Sequence, residues 1–252
     1  MPDTHVRLWS RSESAGRAKE HFPAVTSDPV EAVRGTELVV LCVPVNAMGA
    51  LARQMLPGLS PDCIVTDAGS VKGAICPLLY EILGDRFVGA HPMAGSEQSG
   101  ITAAREDLYE GATCILTPLP PQKGGTAHAR VQAFWKTVGC RTLDLDPLEH
   151  DRLVARASHL PHAVASVLAH AISQQMPEAL KVCGTGLRDT TRVAAGPADM
   201  WSGIFSANHV ELLAAINEFK MSLSELEVLI RAGGAPLEAF LARAREVREQ
   251  LG

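Results

Sequence analysis

The sequence predicts an α/β protein in which a doubly wound parallel sheet is followed by an all-helical region. Three observations predict it. Short apolar runs alternate with helical patterns through the first half of the chain. Two of those runs, Leu38–Val43 and Ile64–Thr66, are apolar on both faces, as strands are inside a parallel sheet covered by helices. From Pro147 onward strand signals vanish and helical patterns run to the C-terminus.

In chain order, the strand candidates are Val6–Trp9, Leu38–Val43, Ile64–Thr66, Phe87–Ala90 and Cys114–Leu116. Helix-like stretches lie between them. One opens at Asp28-Pro29-Val30-Glu31, which supplies a capping residue, a proline for the first turn and a glutamate to cap back. Pro118–Gly125 reads as a turn-rich connection. A further helix (Ala127–Val138) and strand (Arg141–Leu145) are expected to complete the sheet of a first domain over residues 1–146, the alternative being that this pair belongs to the second domain. Residues 147–252 form the second, with helix breaks at Pro161, Pro177, Gly184–Gly186, Pro197 and Gly233-Gly234. Within it Leu212, Ile216, Phe219, Leu223, Leu226 and Ile230 repeat at alternating spacings of four and three. That seam suits a core-facing helix or a helix packed on a partner subunit.

Composition excludes several classes. The 252 residues are 46% hydrophobic and 20% charged, which is ordinary for a globular protein. The net charge of −5 and the scattered basic residues argue against a nucleic-acid-binding surface. The longest strongly apolar run, Leu38–Val45, is far too short to span a bilayer, and no secretory signal pattern opens the chain. The six cysteines contain no C-x-x-C pair and read as thiols of a reducing cytoplasm.

Four segments hold residues suited to chemistry. His91 follows the Phe87–Ala90 strand, and ligands in parallel sheets bind beyond the carboxyl ends of strands. A histidine there is a candidate general base, or simply a partner for loop backbone. Asp67-Ala68-Gly69-Ser70-Val71-Lys72 also follows a strand; Ser70 reads first as a helix N-cap, and second as part of an anion site at a helix start. His159 and His162 stand three apart, but Pro161 lies between them and no third ligand has a suitable spacing, so no metal is expected. Arg188 and Arg192, at i and i+4, are either solvated or placed to clasp carboxylates.

In this order, the string Asp67–Lys72, the string from Val88 through His91 to Glu97, the Ser158–His162 segment, the Arg188–Arg192 segment and Asp199-Met200-Trp201 with Asn208 resemble the prephenate/arogenate dehydrogenases. The similarity runs from about Val6 to Leu251. The resemblance implies a Rossmann-like nicotinamide-binding domain joined to a helical domain that dimerises. It implies hydride transfer from prephenate, or its amino analogue arogenate, to NAD(P)+, with loss of carbon dioxide. It makes His91 the base, with Ser70 orienting the imidazole beside the nicotinamide. It puts Arg192, Arg188, His159, His162, Glu97 and Trp201 around the substrate, with His150 and Asp151 in support. Ser10, Arg11, Ser12, Val43, Pro44, Asp67 and Ser70 would face the cofactor.

One departure stands out. The sequence contains no G-x-G-x-x-G, the loop that brings backbone close to a pyrophosphate. His5–Ser12 matches the family's second strand, so the first strand, glycine loop and first helix are expected to be missing, with Met1 internal to a longer reading frame. The missing strand would be the central one, leaving its two neighbours with unpaired edges. Strand two ends in Ser10-Arg11-Ser12 instead of the usual acidic residue, which favours NADP over NAD. The competing readings are a dimeric binding protein that keeps the substrate cleft without a dinucleotide, and a dehydrogenase of another hydroxy acid.

Overall fold

A computed structural model of the chain describes residues 4–11, 22, 24–95 and 104–250. Its strands form two sheets among the described residues. Strand β1 (Leu8–Trp9) pairs in parallel with β2 (Val25–Thr26). The larger sheet has the order β3 (Leu38–Leu41), β4 (Ile64–Asp67), β5 (Phe87–Pro92), β6 (Thr113–Thr117), β7 (Arg141–Asp144). Every pairing in it is parallel except β5 with β6. Parallel neighbours need a crossover, usually helical. The connection from β5 to β6 holds no described helix, and β6 runs back along β5.

Helices cover both faces of the larger sheet. On one face α1 (Pro29–Val33), α2 (Val45–Met55) and α3 (Ile75–Leu83) bury Met48, Leu51, Met55, Leu79 and Leu83 against Val65 and Phe87. On the other, α4 (Thr126–Thr137) presses Val131 and Trp135 onto Val88, Ala90, Cys114 and Leu116. The interior strand β4 is buried at every residue, whereas only Leu41 of the edge strand β3 is fully buried. That contrast follows from position: β3 has β4 on one side and, among the described residues, no strand on the other. Strands β1 and β3 belong to different sheets and are not hydrogen-bonded to each other.

Local signals explain the element starts. The Asp28 side chain accepts from Val30 N–H at 2.8 Å, with Pro29 in the first turn. Glu31, expected to cap back, instead accepts from the Thr26 hydroxyl at 2.6 Å and ties α1 to β2. Asp146 caps α5 (Pro147–Val154) by accepting from Leu148 N–H at 2.8 Å.

Helix α5 opens the helical region and runs into a π-helical turn (Ala155–His159), then α6 (Leu160–Gln175). Pro161 does not break this path: it sits in the first turn of α6, directly after the π turn, whose wider winding ends on the Leu160 N–H bond to the Ala155 carbonyl. Next come α7 (Thr185–Thr191), a 3₁₀ turn (Arg192–Ala195), α8 (Ala198–Ala207), α9 (His209–Ala232) and α10 (Gly234–Gln250). Arg156 in the π turn bonds Glu218 of α9 at 2.5 and 3.0 Å. Helix α8 also packs on α2, so the two regions touch beside the sheet's carboxyl edge. The α9 seam is buried at Leu212 but exposed at Phe219, Leu223 and Ile230. None of the helices among the described residues is long and apolar enough to cross a membrane.

Candidate active site

Parallel pairing of β4 with β5 brings the ends of both strands to one edge of the sheet. His91 is the penultimate residue of β5 and is buried. Asp67 ends β4 and reaches across: its Oδ1 accepts from Ala90 N–H at 3.0 Å, one residue before His91. Its Oδ2 accepts from Gly69 N–H at 2.9 Å and from the Lys72 ammonium. Neither Asp67 nor Lys72 has an exposed side chain.

The helical region closes the other side. The Nδ1 of His91 lies 2.9 Å from Nε2 of His150 on α5, and Nδ1 of His150 lies 2.8 Å from Oδ1 of Asp151. Asp151 also holds the loop that follows β4. Its Oδ1 accepts from Lys72 N–H and its Oδ2 from Gly73 N–H, both at 2.8 Å. A Cβ at residue 73 would stand 2.8 Å from Asp151 Oδ2, so only glycine lets the carboxylate approach this closely.

Ser70 sits half-buried within this loop. The expectation that it caps a helix is corrected here: α3 begins at Ile75, its N-cap residue is Ala74, and no side chain caps it. The Asp67 and Asp151 carboxylates hold the loop's backbone N–H groups, and that keeps residues 68–74 out of the helix. Ser70 therefore stands on a clamped loop at the sheet edge that also carries His91.

A second cluster lies behind the first. His159, in the π turn, is fully buried; its Nδ1 is 3.2 Å from Nδ2 of Asn208, which donates to the Asp151 carbonyl at 2.9 Å. His162 on α6 lies flat on Trp201 of α8, with ring centroids 3.6 Å apart and planes within 15°. Trp201 also meets the His159 ring edge-on at 6.2 Å. The structure thus gathers His159, His162 and Trp201. It leaves Nε2 of His159 and Nδ1 of His162 buried without a hydrogen-bond partner among the described residues. Arg188 is exposed on α7, and Arg192 begins the 3₁₀ turn beyond that helix, so the two do not share one continuous helix. The turn carrying Arg192 packs against α6, the helix of His162.

The imidazoles of this region are poor bases for free protons. Burial first, then the unfavourable pairing of a second imidazolium with His150 and the charge of Lys72, holds His91 well below its ordinary value of 6.5. Burial lowers His150 as well, against the opposing pull of Asp151. Burial pushes His159 down to about 4 and lowers His162. His91 is therefore a neutral imidazole at neutral pH, the form in which it accepts a proton. Among the described residues no cluster of three or more His, Cys, Asp or Glu could hold a metal ion.

The residues expected to face the cofactor divide. Arg11, Val43 and Pro44 line a hollow of about 400 Å³ with Trp9 and Asn46, beyond the ends of β1 and β3. The carboxyl edge of an α/β sheet is where nucleotides bind, and a cation there suits a phosphate-bearing ribose. These residues fit one end of a dinucleotide. Ser10 sits on the same edge, with its N–H bonded to the Thr26 carbonyl at 3.2 Å. Asp67 is turned inward, and the partners of its carboxylate are Ala90, Gly69 and Lys72. Ser12 and Glu97 lie outside the described residues. Sequence reasoning gave no role to Lys72; the one signal it offered was a lysine five residues after an aspartate at a strand end.

Comparison with known proteins accounts for both halves of this arrangement. Residues 2–143 match the profile of the prephenate dehydrogenase nucleotide-binding domain, and residues 146–243 that of the prephenate dehydrogenase dimerization domain. A cyclohexadienyl dehydrogenase of Zymomonas mobilis is 35% identical over 249 residues, covering 95% of this chain and 85% of that protein. The crystal structure of Aquifex aeolicus prephenate dehydrogenase with hydroxyphenyl propionate and NAD+ superposes with a TM-score of 0.88 at 34% identity, over 97% of this chain and 88% of that one. Synechocystis arogenate dehydrogenase superposes with a TM-score of 0.81 at 26% identity, over 98% of this chain and 91% of that one. With an α/β nucleotide-binding half, a helical half and a buried histidine where they meet, the chain belongs to the prephenate dehydrogenase family.

Proposed function

We propose that this chain catalyses the oxidative decarboxylation of prephenate to 4-hydroxyphenylpyruvate with NADP+ or NAD+, in the route to tyrosine. The observation that carries it is His91, a neutral, desolvated imidazole at the carboxyl end of β5, held by His150 and beside the clamped loop of Ser70.

The nicotinamide, when bound, supplies the hydride acceptor. His91 accepts the proton of the ring hydroxyl as the carbonyl develops, which removes a barrier that water would meet poorly inside a closed site. Ser70 holds the hydroxyl and imidazole in register. Arg192 pairs with a substrate carboxylate, with His159, His162 and Trp201 lining the cleft. Arg11, Val43 and Pro44 hold the adenosine end of the cofactor, and Arg11 favours a 2′-phosphate. The exposed seam of Phe219, Leu223 and Ile230 joins two copies as a homodimer.

The test is turnover of prephenate and, separately, arogenate, with NAD+ and NADP+, following nicotinamide reduction and product. Prephenate turnover is expected. Turnover of arogenate alone moves the reading to its amino analogue, and turnover of neither overturns it. Arg11→Asp is expected to raise KM for NADP+ more than for NAD+.

A further inference from the structure

The hydrogen-bond partners of Asp151 leave little choice about where protons sit. Both its oxygens accept backbone N–H groups, from Lys72 and Gly73, so it stands here as an acceptor. The Nδ1 of His150, 2.8 Å from Oδ1, must then be the donor. A neutral His150 with its proton on Nδ1 has a lone pair on Nε2. His91 Nδ1, 2.9 Å away, can bond to that lone pair only by donating. A neutral His91 with its proton on Nδ1 has its lone pair on Nε2.

We infer that Asp151, acting through His150, fixes the tautomer of His91, with the proton on Nδ1 and the lone pair on Nε2. The inference rests on the reading of His91 as the base, since the tautomer decides which nitrogen receives the substrate proton. An isolated neutral imidazole favours the opposite form, with hydrogen on Nε2, so the assignment is imposed by the protein. It is imposed from the helical region: Asp151 and His150 lie on α5, while His91 lies on β5. The same carboxylate clamps residues 72 and 73 of the Ser70 loop. Base and loop are thereby aligned by one residue. Asp151 and His150 are positioning residues, touching the reaction only through His91.

The test reads the tautomer directly. Long-range 1H–15N spectra of histidine-labelled protein, with His91 assigned by the signals lost in His91→Asn, are expected to show a protonated Nδ1 and a bare Nε2. His150→Phe keeps a planar ring but removes the acceptor; His150→Gln restores an acceptor oxygen. In His150→Phe the His91 signals are expected to move toward the Nε2–H form, and in His150→Gln to move back. With prephenate, His150→Phe should lower kcat on the order of 10- to 100-fold while KM changes by less than about threefold, and His150→Gln should recover part of the loss. A wild-type His91 in the Nε2–H form overturns the inference, whatever the variants do and even where one fails to fold. A tautomer unmoved by His150→Phe overturns it equally. The expected tautomer in a wild-type protein that turns over no substrate supports the relay and counts against the reaction.

Discussion

Lys72 extends its ammonium to the Asp67 carboxylate with no part of either side chain exposed. The same carboxylate receives the N–H groups of Gly69 and Ala90, so the pair stitches the Ser70 loop to the residue preceding His91. Removing one member of a buried pair strands the other charge. Lys72→Met is therefore expected to lower unfolding stability by about 3–5 kcal/mol, measured by urea denaturation. Adding Asp67→Asn removes the stranded charge and should restore part of that loss. A double variant no more stable than the single would show that Asp67 does not depend on Lys72.

His91→Asn separates folding from chemistry. Asparagine at this position still offers an N–H toward His150, and the Asp67 bond to Ala90 N–H is a backbone contact that the substitution leaves alone. The variant is expected to melt within a few degrees of wild type. It lacks a basic nitrogen, so kcat with prephenate should fall on the order of 10²- to 10⁴-fold. Near-full activity would remove His91 from the role of base.

Much of this was legible in the sequence because apolar runs followed by small residues mark strand ends. Leu38–Val43, Ile64–Thr66 and Phe87–Ala90 each fall on a strand, Leu38–Leu41, Ile64–Asp67 and Phe87–Pro92, and His91 falls at the carboxyl edge as expected. Strand β2 gives no comparable signal because Val25 and Thr26 stand between Pro23 and the turn residues Ser27-Asp28-Pro29, with no room for an apolar alternation. The reversal of β6 was hidden because apolar alternation carries no direction. Ser70 looked like a cap because the pattern cannot show that Asp67 and Asp151 hold that backbone instead. The contact between His91 and His150 joins positions 59 residues apart, and only the folding of α5 over β5 creates it.

The seam on α9 changes character along its length. Leu212 is buried, while Phe219, Leu223 and Ile230 are 38%, 47% and 60% exposed. Apolar side chains at heptad spacing on an open helix face are suited to a facing helix. Leu223→Glu combined with Ile230→Glu is expected to shift the sedimenting species from dimer to monomer without lowering helical content. A wild-type monomer at micromolar concentration would show that another face carries the association.

Acid should unfold this protein through its buried imidazoles. Burial lowers His159 from 6.5 to about 4 in the folded state, and lowers His91, His150 and His162 in the same direction. Between those two values the unfolded chain binds protons that the folded chain refuses, so stability rises with pH across the window and is lost as pH falls through it. Each pH unit within the window contributes about 1.4 kcal/mol, so His159 alone accounts for up to about 3 kcal/mol. Denaturation at pH 7 and pH 5 is expected to show the loss. His159→Gln, which cannot charge, should reduce the difference between the two pH values even if it lowers stability at both. An unchanged pH dependence in that variant would mean that the folded protein holds His159 protonated, against the desolvation at this fully buried site.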